Sequence, residues 1–373
     1  LEGNRFALHM KVHHCMVDGI AGVDLMAALF RVTPDTAIDP AAPWTPRPQP
    51  GDGDLLRAEM RRRARLSAEA LGSAARWLRG ERSGTVVDRL ANVVDLVRTG
   101  LTRPAATPFN LPIGGNRRVR WLTFDLPAVK EVKNQLDGTL NDVVLTTVAA
   151  AIDRFLERRG VRPTEDLRLG VPVNLQARDG NRGLGNHIWA WLVPLPAGMR
   201  GPIRRFRALQ DATAALKRSQ QALGGEVITS AFDWTSSNLM PLGAKLLHRL
   251  QPYNLMVTNV PGPQCPLFLL GARIDELYPW VPLFENQGLA IALFSYDGKL
   301  FWSIGADWDL VPDVDVFVAC LDEGFRELRH AAARRRPQRA VRGADAPAQE
   351  IAARAGRRRG AKPKPAAVQQ QSG

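Results

Sequence analysis

The stretch "GTLNDVVLTTVAAAIDRFLERRG" at residues 138–160 limits the possible folds more than any other. Val144, Val148, Ile152 and Phe155 recur at helical spacing, which predicts a helix with an apolar stripe. Arg154, Arg158 and Arg159 gather late in it, where cations suit the negative end of the helix dipole, and Gly160 stops it. Strand-like runs flank it at 119–126 and 167–173. Further strands are expected at 187–195, 254–260, 288–296 and 300–306, and helices at 202–222, 240–250 and 313–330. Strands and helices that alternate in this way build an α/β domain.

Upstream, residues 5–12 alternate loosely and read as a strand. Residues 19–30 read as a helix, with Ile20, Val23, Leu25, Met26 and Leu29 largely on one face. Pro34, Pro40, Pro43, Pro46, Pro48 and Pro50 then exclude regular helix or a central strand over 33–53. Segments 54–80 and 85–99 look helical, and the run "RAEMRRRAR" at 57–65 reads as a solvated helix face. A second Pro/Gly-rich linker covers 100–116. The expected divisions are 1–32, 33–116 (a linker, part Pro-rich and part helical), 117–330 and a basic tail at 331–373.

The net charge of +13 invites a nucleic-acid reading, but its location argues against one. Residues 331–373 carry Arg334, Arg335, Arg336, Arg339, Arg342, Arg354, Arg357, Arg358, Arg359, Lys362 and Lys364 against Asp345 and Glu350, so +9 of the +13 belongs to them. That segment is rich in Ala, Pro, Gln and Gly and poor in large apolar residues, so it is expected to be disordered. It has no interleaved aromatics for base stacking, and nucleic acid is not an expected partner. It reads first as a solvated appendage, and second as a segment that touches an anionic surface such as a membrane. The three cysteines, Cys15, Cys265 and Cys320, are odd in number, far apart and outside any CxxC pair, which suggests a reducing, cytoplasmic setting without structural zinc. No apolar run reaches the ~18 residues of a membrane span. Neither GxGxxG nor GxxxxGK[ST] occurs, so no nucleotide-binding fingerprint is present.

The candidate chemistry lies in "HHCMVDG", residues 13–19. A histidine in a turn after a strand is a suitable general base, near neutral pKa and rigidly held. Asp18 can lock such a turn, and Gly19 permits close packing or unusual φ. His13 and His14 as a metal pair is the weaker reading, because neighbours on a strand point to opposite faces. His9, His187, His248 and His330 add no ligand spacing, so no metal is expected. Cys15 reads as a packing residue. Asn141 and Asp142 open the long helix and read either as its N-cap or as part of a site at its positive end.

HHxxxDG resembles the signature of the CoA-dependent acyltransferase superfamily. Together with "LNDVVLTTVAAAI" (140–152), "GVPVNL" (170–175), "GNHIWAWLVPLP" (185–196) and the run 256–313, it resembles the bacterial wax ester synthase/acyl-CoA:diacylglycerol acyltransferase family over residues 1 to about 330. The resemblance implies two chloramphenicol-acetyltransferase-like α/β domains, joined by a helical linker, with a tunnel between them. Family members carry a segment with a Pro-Leu-Trp motif before HHxxxDG. None is found here, so the first domain is expected to be N-terminally truncated.

The implied reaction is O-acyl transfer from acyl-CoA to diacylglycerol, giving triacylglycerol, or to a long-chain alcohol, giving wax ester. His14 would act as general base, His13 as its support, and Asp18 and Gly19 would shape the loop. Asn141, with Asp142, would face the tetrahedral oxyanion. No acyl-enzyme and no resident cofactor would be needed, acyl-CoA being a substrate, and the protein would work in the cytoplasm or peripherally at the inner membrane or lipid inclusions. Two other readings stay open: an acyltransferase or condensation-like enzyme for polyketide, glycolipid or carrier-bound acceptors, and a non-catalytic lipid-surface protein. "TNVPGP" (258–263) is expected to cross between domains or to serve packing. Trp280, Trp302 and Trp308 are expected in the core.

Overall fold

The computed structural model describes residues 1–13, 26–38, 43, 45–46, 48–78, 102, 104–162, 166–174, 188–223 and 252–335. Residues 1–333 form one compact unit. Its elements are α1 (Asp52–Leu78), β1 (Arg117–Asp125), α2 (Leu126–Gln135), α3 (Leu140–Arg158), β2 (Leu167–Asn174), β3 (Ile188–Leu195), α4 (Pro202–Leu223), β4 (Leu255–Pro261), β5 (Phe268–Leu269), β6 (Ala272–Arg273), β7 (Leu289–Tyr296), β8 (Lys299–Asp307) and α5 (Val314–Arg334).

Six strands make one mixed sheet in the order β1-β8-β7-β4-β2-β3, so the α/β class expected from the sequence is correct. β4 runs parallel to both its neighbours, and the other pairings are antiparallel. β7 and β8 lie inside the sheet and are buried along nearly their whole length, which is why "LAIALFSY" reads as an unbroken apolar run. Asp297 (φ 43°) and Gly298 (φ 75°) join them in a tight turn, with Tyr296 opposite Lys299. Asp-Gly is a favoured pair for that left-handed geometry.

One face of the sheet is covered by helices. Leu169, Leu255, Ile291, Leu293, Trp302 and Ile304 share a core with residues of α2, α3, α4 and α5. α3 is the central helix and is buried almost all round from Asp142 to Leu156, rather than along one stripe. Phe155 meets Phe317 of α5 edge-on at 5.3 Å, and Gly324 of α5 sits against Ala150 and the Thr147 carbonyl. Thr146 and Thr147, buried with it, donate their hydroxyls to the carbonyls of Asp142 and Val143, so neither polar group is left unpaired. The opposite face carries a smaller cluster of Phe30, Leu267, Phe294, Tyr296 and Phe301.

Several expectations need correction. Residues 5–12 form no strand; they are exposed and irregular, since no ladder pairs with them among the described residues. Of the helix expected at 19–30, residues 26–29 form one turn and 19–25 lie outside the described residues, as do 85–99 and 240–250. α2 has no counterpart among the expected elements: it is short, and Pro127 near its start reads as a breaker although proline is tolerated in a first turn.

The stretch 104–116 is not a loose linker. Phe109 is fully buried, and its carbonyl accepts from Gly288 N–H at 2.7 Å. Asn110 Nδ2 donates to the carbonyls of Asn254 and Asn286, and Asn254 Nδ2 donates to Ala105 O and Asn110 Oδ1. "TNVP" does not cross between domains; it is the second half of β4, paired with β7 from Thr258 opposite Ala292 to Pro261 opposite Ser295. Of the three tryptophans expected in the core, only Trp302 is buried. Trp308 stacks under Arg118, 3.6 Å from guanidinium carbon to ring centre, and Trp280 lies over Gly305; both are half exposed. α5 runs to Arg334 and buries Ala332, so the helix enters the segment expected to be disordered, of which 336–373 lie outside the described residues.

Candidate active site

His14, Cys15, Asp18 and Gly19 lie outside the described residues, and His13, the last residue before them, is exposed and irregular. Both flanks of the motif are placed. Upstream, the His9 ring meets Trp280 edge-on at 5.9 Å. Downstream, the helical turn 26–29 closes with Phe30 N–H donating to Met26 O at 2.8 Å. Phe30 is buried against Leu267, Phe294, Tyr296 and Phe301, with Met26 packed on the same cluster. Arg31 exchanges two backbone hydrogen bonds with Phe268, at 2.9 and 2.8 Å.

The receiving segment is itself fixed. The Tyr296 hydroxyl, reaching out of the sheet, accepts from Leu267 N–H at 2.7 Å and donates to Ile274 O at 2.8 Å. Gly262, just after β4, sits so close to the sheet that a Cβ there would come within 2.5 Å of Ser295 O. The two described flanks of HHxxxDG therefore dock on the sheet face opposite α2, α3, α4 and α5, and each touches the segment 267–280.

Asn141 and Asp142 lie on the helical side, in the first turn of α3. Thr139, rather than Asn141 or Asp142, is the N-cap. Its hydroxyl accepts from Asp142 N–H at 3.2 Å, and the Asp142 carboxylate accepts from Thr139 N–H at 2.8 Å, which closes a capping box. Asp142 Oδ2 also accepts from Thr139 Oγ1 at 2.7 Å, and Oδ1 from Thr213 Oγ1 of α4 at 3.1 Å. Asp142 is buried, an acceptor facing three donors; its work is to cap α3 and fasten it to α4. Asn141 is half buried, and its amide makes no hydrogen bond among the described residues. It sits at N2, beside backbone N–H groups that the first turn of a helix leaves unpaired within the helix.

Sequence reasoning misses Thr139 and Thr213 as partners of this helix end, although T-x-x-D in "TLND" is a legible capping signal. It misses a buried ion pair as well. Asp153 of α3 accepts from Arg205 Nη2 at 2.9 Å and from Gly198 N–H at 3.2 Å, and Arg205 Nη2 also donates to Met199 O at 2.6 Å. Burial pushes the Asp153 carboxyl above its ordinary range, against the pull of the Gly198 N–H and of Arg205. These contacts lock the loop before α4 onto α3. Among the described residues no three His, Cys, Asp or Glu side chains come together as a metal site would require, and no helix is long and apolar enough to cross a membrane.

Known proteins resemble this chain along most of its length. Residues 1–144 match the wax ester synthase/diacylglycerol acyltransferase catalytic domain, and 184–329 match the WS/DGAT C-terminal domain. A Mycobacterium tuberculosis protein named as a diacylglycerol O-acyltransferase is 32% identical over 86% of this chain and 64% of its own length. The chain thus spans a little under two thirds of that relative. A second M. tuberculosis protein with the same named activity is 30% identical over 89% of this chain and 72% of its own length. Among solved structures, the wax ester synthase/diacylglycerol acyltransferase from Marinobacter aquaeolei VT8 shares the fold, with TM-score 0.59 and 21% identity over 86% of this chain and 67% of that one. With both domains matched, and relatives aligned over most of its length, the chain belongs to the wax ester synthase/diacylglycerol acyltransferase family.

Proposed function

We propose that the protein transfers a fatty acyl group from acyl-CoA to the hydroxyl of a diacylglycerol or a long-chain alcohol, yielding triacylglycerol or wax ester. The observation that carries this reading is the HHxxxDG motif at 13–19 inside the stretch matched to the catalytic domain, in a chain whose relatives are named for diacylglycerol O-acyl transfer.

In this reading His14 accepts the acceptor's hydroxyl proton as its oxygen attacks the thioester carbonyl. The tetrahedral intermediate collapses, the C–S bond breaks and the proton passes to the departing CoA thiolate. Holding both substrates together makes the step effectively intramolecular, and no acyl-enzyme is required. His13 steadies the loop, which Asp18 and Gly19 shape. Asn141, whose amide makes no hydrogen bond among the described residues and lies at the positive end of α3, is our candidate donor to the oxyanion. Asp142 supports it by holding that helix end in place. Acyl-CoA is a substrate, and the mechanism asks for no resident cofactor. Acceptor and product are lipids, so the protein works at a lipid surface, the inner membrane or lipid inclusions.

The test is to incubate the protein with labelled acyl-CoA and, separately, diacylglycerol, hexadecanol and a carrier-bound acceptor. Labelled ester from either of the first two, with CoA released in equal amount, is expected. Product from the carrier-bound acceptor alone would move the reaction to the condensation class.

A further inference from the structure

β1 is an edge of the six-stranded sheet: among the described residues it pairs with β8 and with no other strand. Its nine residues match β8 one for one, from Arg117 opposite Asp307 to Asp125 opposite Lys299, with no bulge and no proline. Antiparallel pairs alternate between residues that exchange both backbone hydrogen bonds and residues that exchange none. Trp308 N–H donates to Asn116 O just before the strand, and Leu126 N–H donates to Gly298 O just after it. The even-numbered residues of β1 therefore bond β8. The N–H and C=O groups of Val119, Trp121 and Thr123 point away from the sheet. Among the described residues only Val119 O has a partner, Arg120 Nη1 at 3.0 Å.

Long edges invite other strands, and proteins guard them with prolines, bulges or charges. The opposite edge, β3, carries Pro194. The three arginines of β1 read as guards, yet each is engaged within its own chain. Arg117 Nη1 meets Asp307 at 3.2 Å, Arg118 lies over Trp308, and Arg120 Nη2 meets Asp315 at 2.9 Å.

The strand is also complementary to itself. Laid antiparallel beside a second copy about Trp121, it sets Val119 opposite Thr123, Trp121 opposite Trp121 and Arg117 opposite Asp125. Each outward N–H of Val119, Trp121 and Thr123 then meets an outward C=O. Trp121 is 58% exposed, and an aromatic pair across the axis would cover it. Asp125 is exposed, and its carboxylate caps nothing and has no ion pair among the described residues. Arg117 makes its contacts through Nη1, which leaves Nη2 for that carboxylate. A register centred on Val119 or Thr123 would set the ends of β1 against residues outside the strand.

We propose that two copies of the chain pair through β1, antiparallel about a two-fold axis at Trp121, so that their sheets join into one. A two-fold is the closed arrangement for a patch that complements itself. The inference stands on the geometry of β1 and is independent of the functional reading above.

The experiment is analytical ultracentrifugation of the 373-residue chain over a dilution series. The samples are the wild type, Trp121→Glu, Trp121→Lys, an equimolar mixture of those two variants, and Asp125→Lys, with circular dichroism and the unfolding midpoint as checks on the fold. The wild type is expected to sediment as a dimer at micromolar concentration. Each variant alone should associate about tenfold or more weakly, because it sets like charges opposite one another. The mixture should recover the dimer, because a residue on the axis faces its own copy and the two variants then offer opposite charges. A wild type that stays monomeric overturns the proposal and leaves the edge to a strand of some other protein. A dimer that the substitutions leave intact overturns it too, as does a mixture that stays apart. If the charged variants lose their fold, Trp121→Cys decides. Hydrogen-bonded partners on the axis have Cα atoms about 5.5 Å apart, within disulfide reach. Mild oxidation should then link two chains well above the wild-type background from its three cysteines, and no linkage would overturn the pairing.

Discussion

Asn141 and Asp142 are neighbours with different occupations. Asp142 receives three hydrogen bonds and is buried; the Asn141 amide receives and gives none among the described residues. Asn141→Ala should therefore leave stability within about 0.5 kcal/mol while lowering kcat about 10²–10³-fold, if its amide meets the oxyanion. Asp142→Ala should cost about 1–3 kcal/mol in denaturant unfolding, because it opens the capping box and strands buried donors.

Arg205→Ala should cost more, about 3–5 kcal/mol, since it leaves the Asp153 carboxylate buried with one remaining N–H donor. A third pair gives a pH signature. The Arg159 hydrogen bond draws the Asp313 carboxyl below its ordinary range, burial opposing it. A depressed carboxylate pKa contributes stability above the unfolded value, about 3.9, and that contribution fades as pH falls through the folded value. Arg159→Ala should flatten the acid limb of the unfolding profile below about pH 4. An unchanged acid limb would show that the pair is too screened to matter.

At the scale of elements, the sequence is readable where a segment's neighbours are dictated by its own pattern. α3 announces itself by period and stop, and β7–β8 by an apolar run closed with Asp-Gly. Residues 5–12 alternate like a strand, yet alternation cannot say whether a partner ladder exists, and here none does among the described residues. "TNVPGP" misleads in the other direction. Its prolines suggest a crossing, but Pro261 ends β4, where a missing N–H breaks little of the ladder. Residue type alone puts Trp280 and Trp308 in the core. Gly305 beneath one and Arg118 above the other are contacts no single-chain pattern contains.

The close approach at Gly262 yields an element-scale prediction. Gly262→Ala would press a methyl group on Phe294 and Ser295 and should destabilise by about 1–3 kcal/mol. Because the segment that follows receives the flanks of the motif, turnover should fall along with stability. Full turnover in a destabilised variant would uncouple that segment from the motif.

In the molecule as a whole, the motif's described flanks dock on the face of the sheet that carries Phe294, Tyr296 and Phe301, while α3, which bears Asn141, packs on the opposite face with α2, α4 and α5. The candidate base is legible in HHxxxDG itself, because residue type and spacing carry that chemistry. The partnering of Asp142, Thr139 and Thr213 is legible only in part, since Thr213 comes from α4, 71 residues from Asp142. The charge is legible as well: +9 of +13 lies at 331–373, after the last strand in the sequence.

The proposed reaction turns on His14, which moves the proton in acyl transfer to a lipid hydroxyl. The direct measurement is the rate of ester formation from acyl-CoA and diacylglycerol or hexadecanol by the wild type and by His14→Ala, with circular dichroism and the unfolding midpoint as checks on the fold. Ester from the wild type, a fall of about 10²–10⁴-fold in kcat for His14→Ala, and an unchanged fold are expected. Equal turnover by the two proteins, or no ester from either, would contradict the role given to His14.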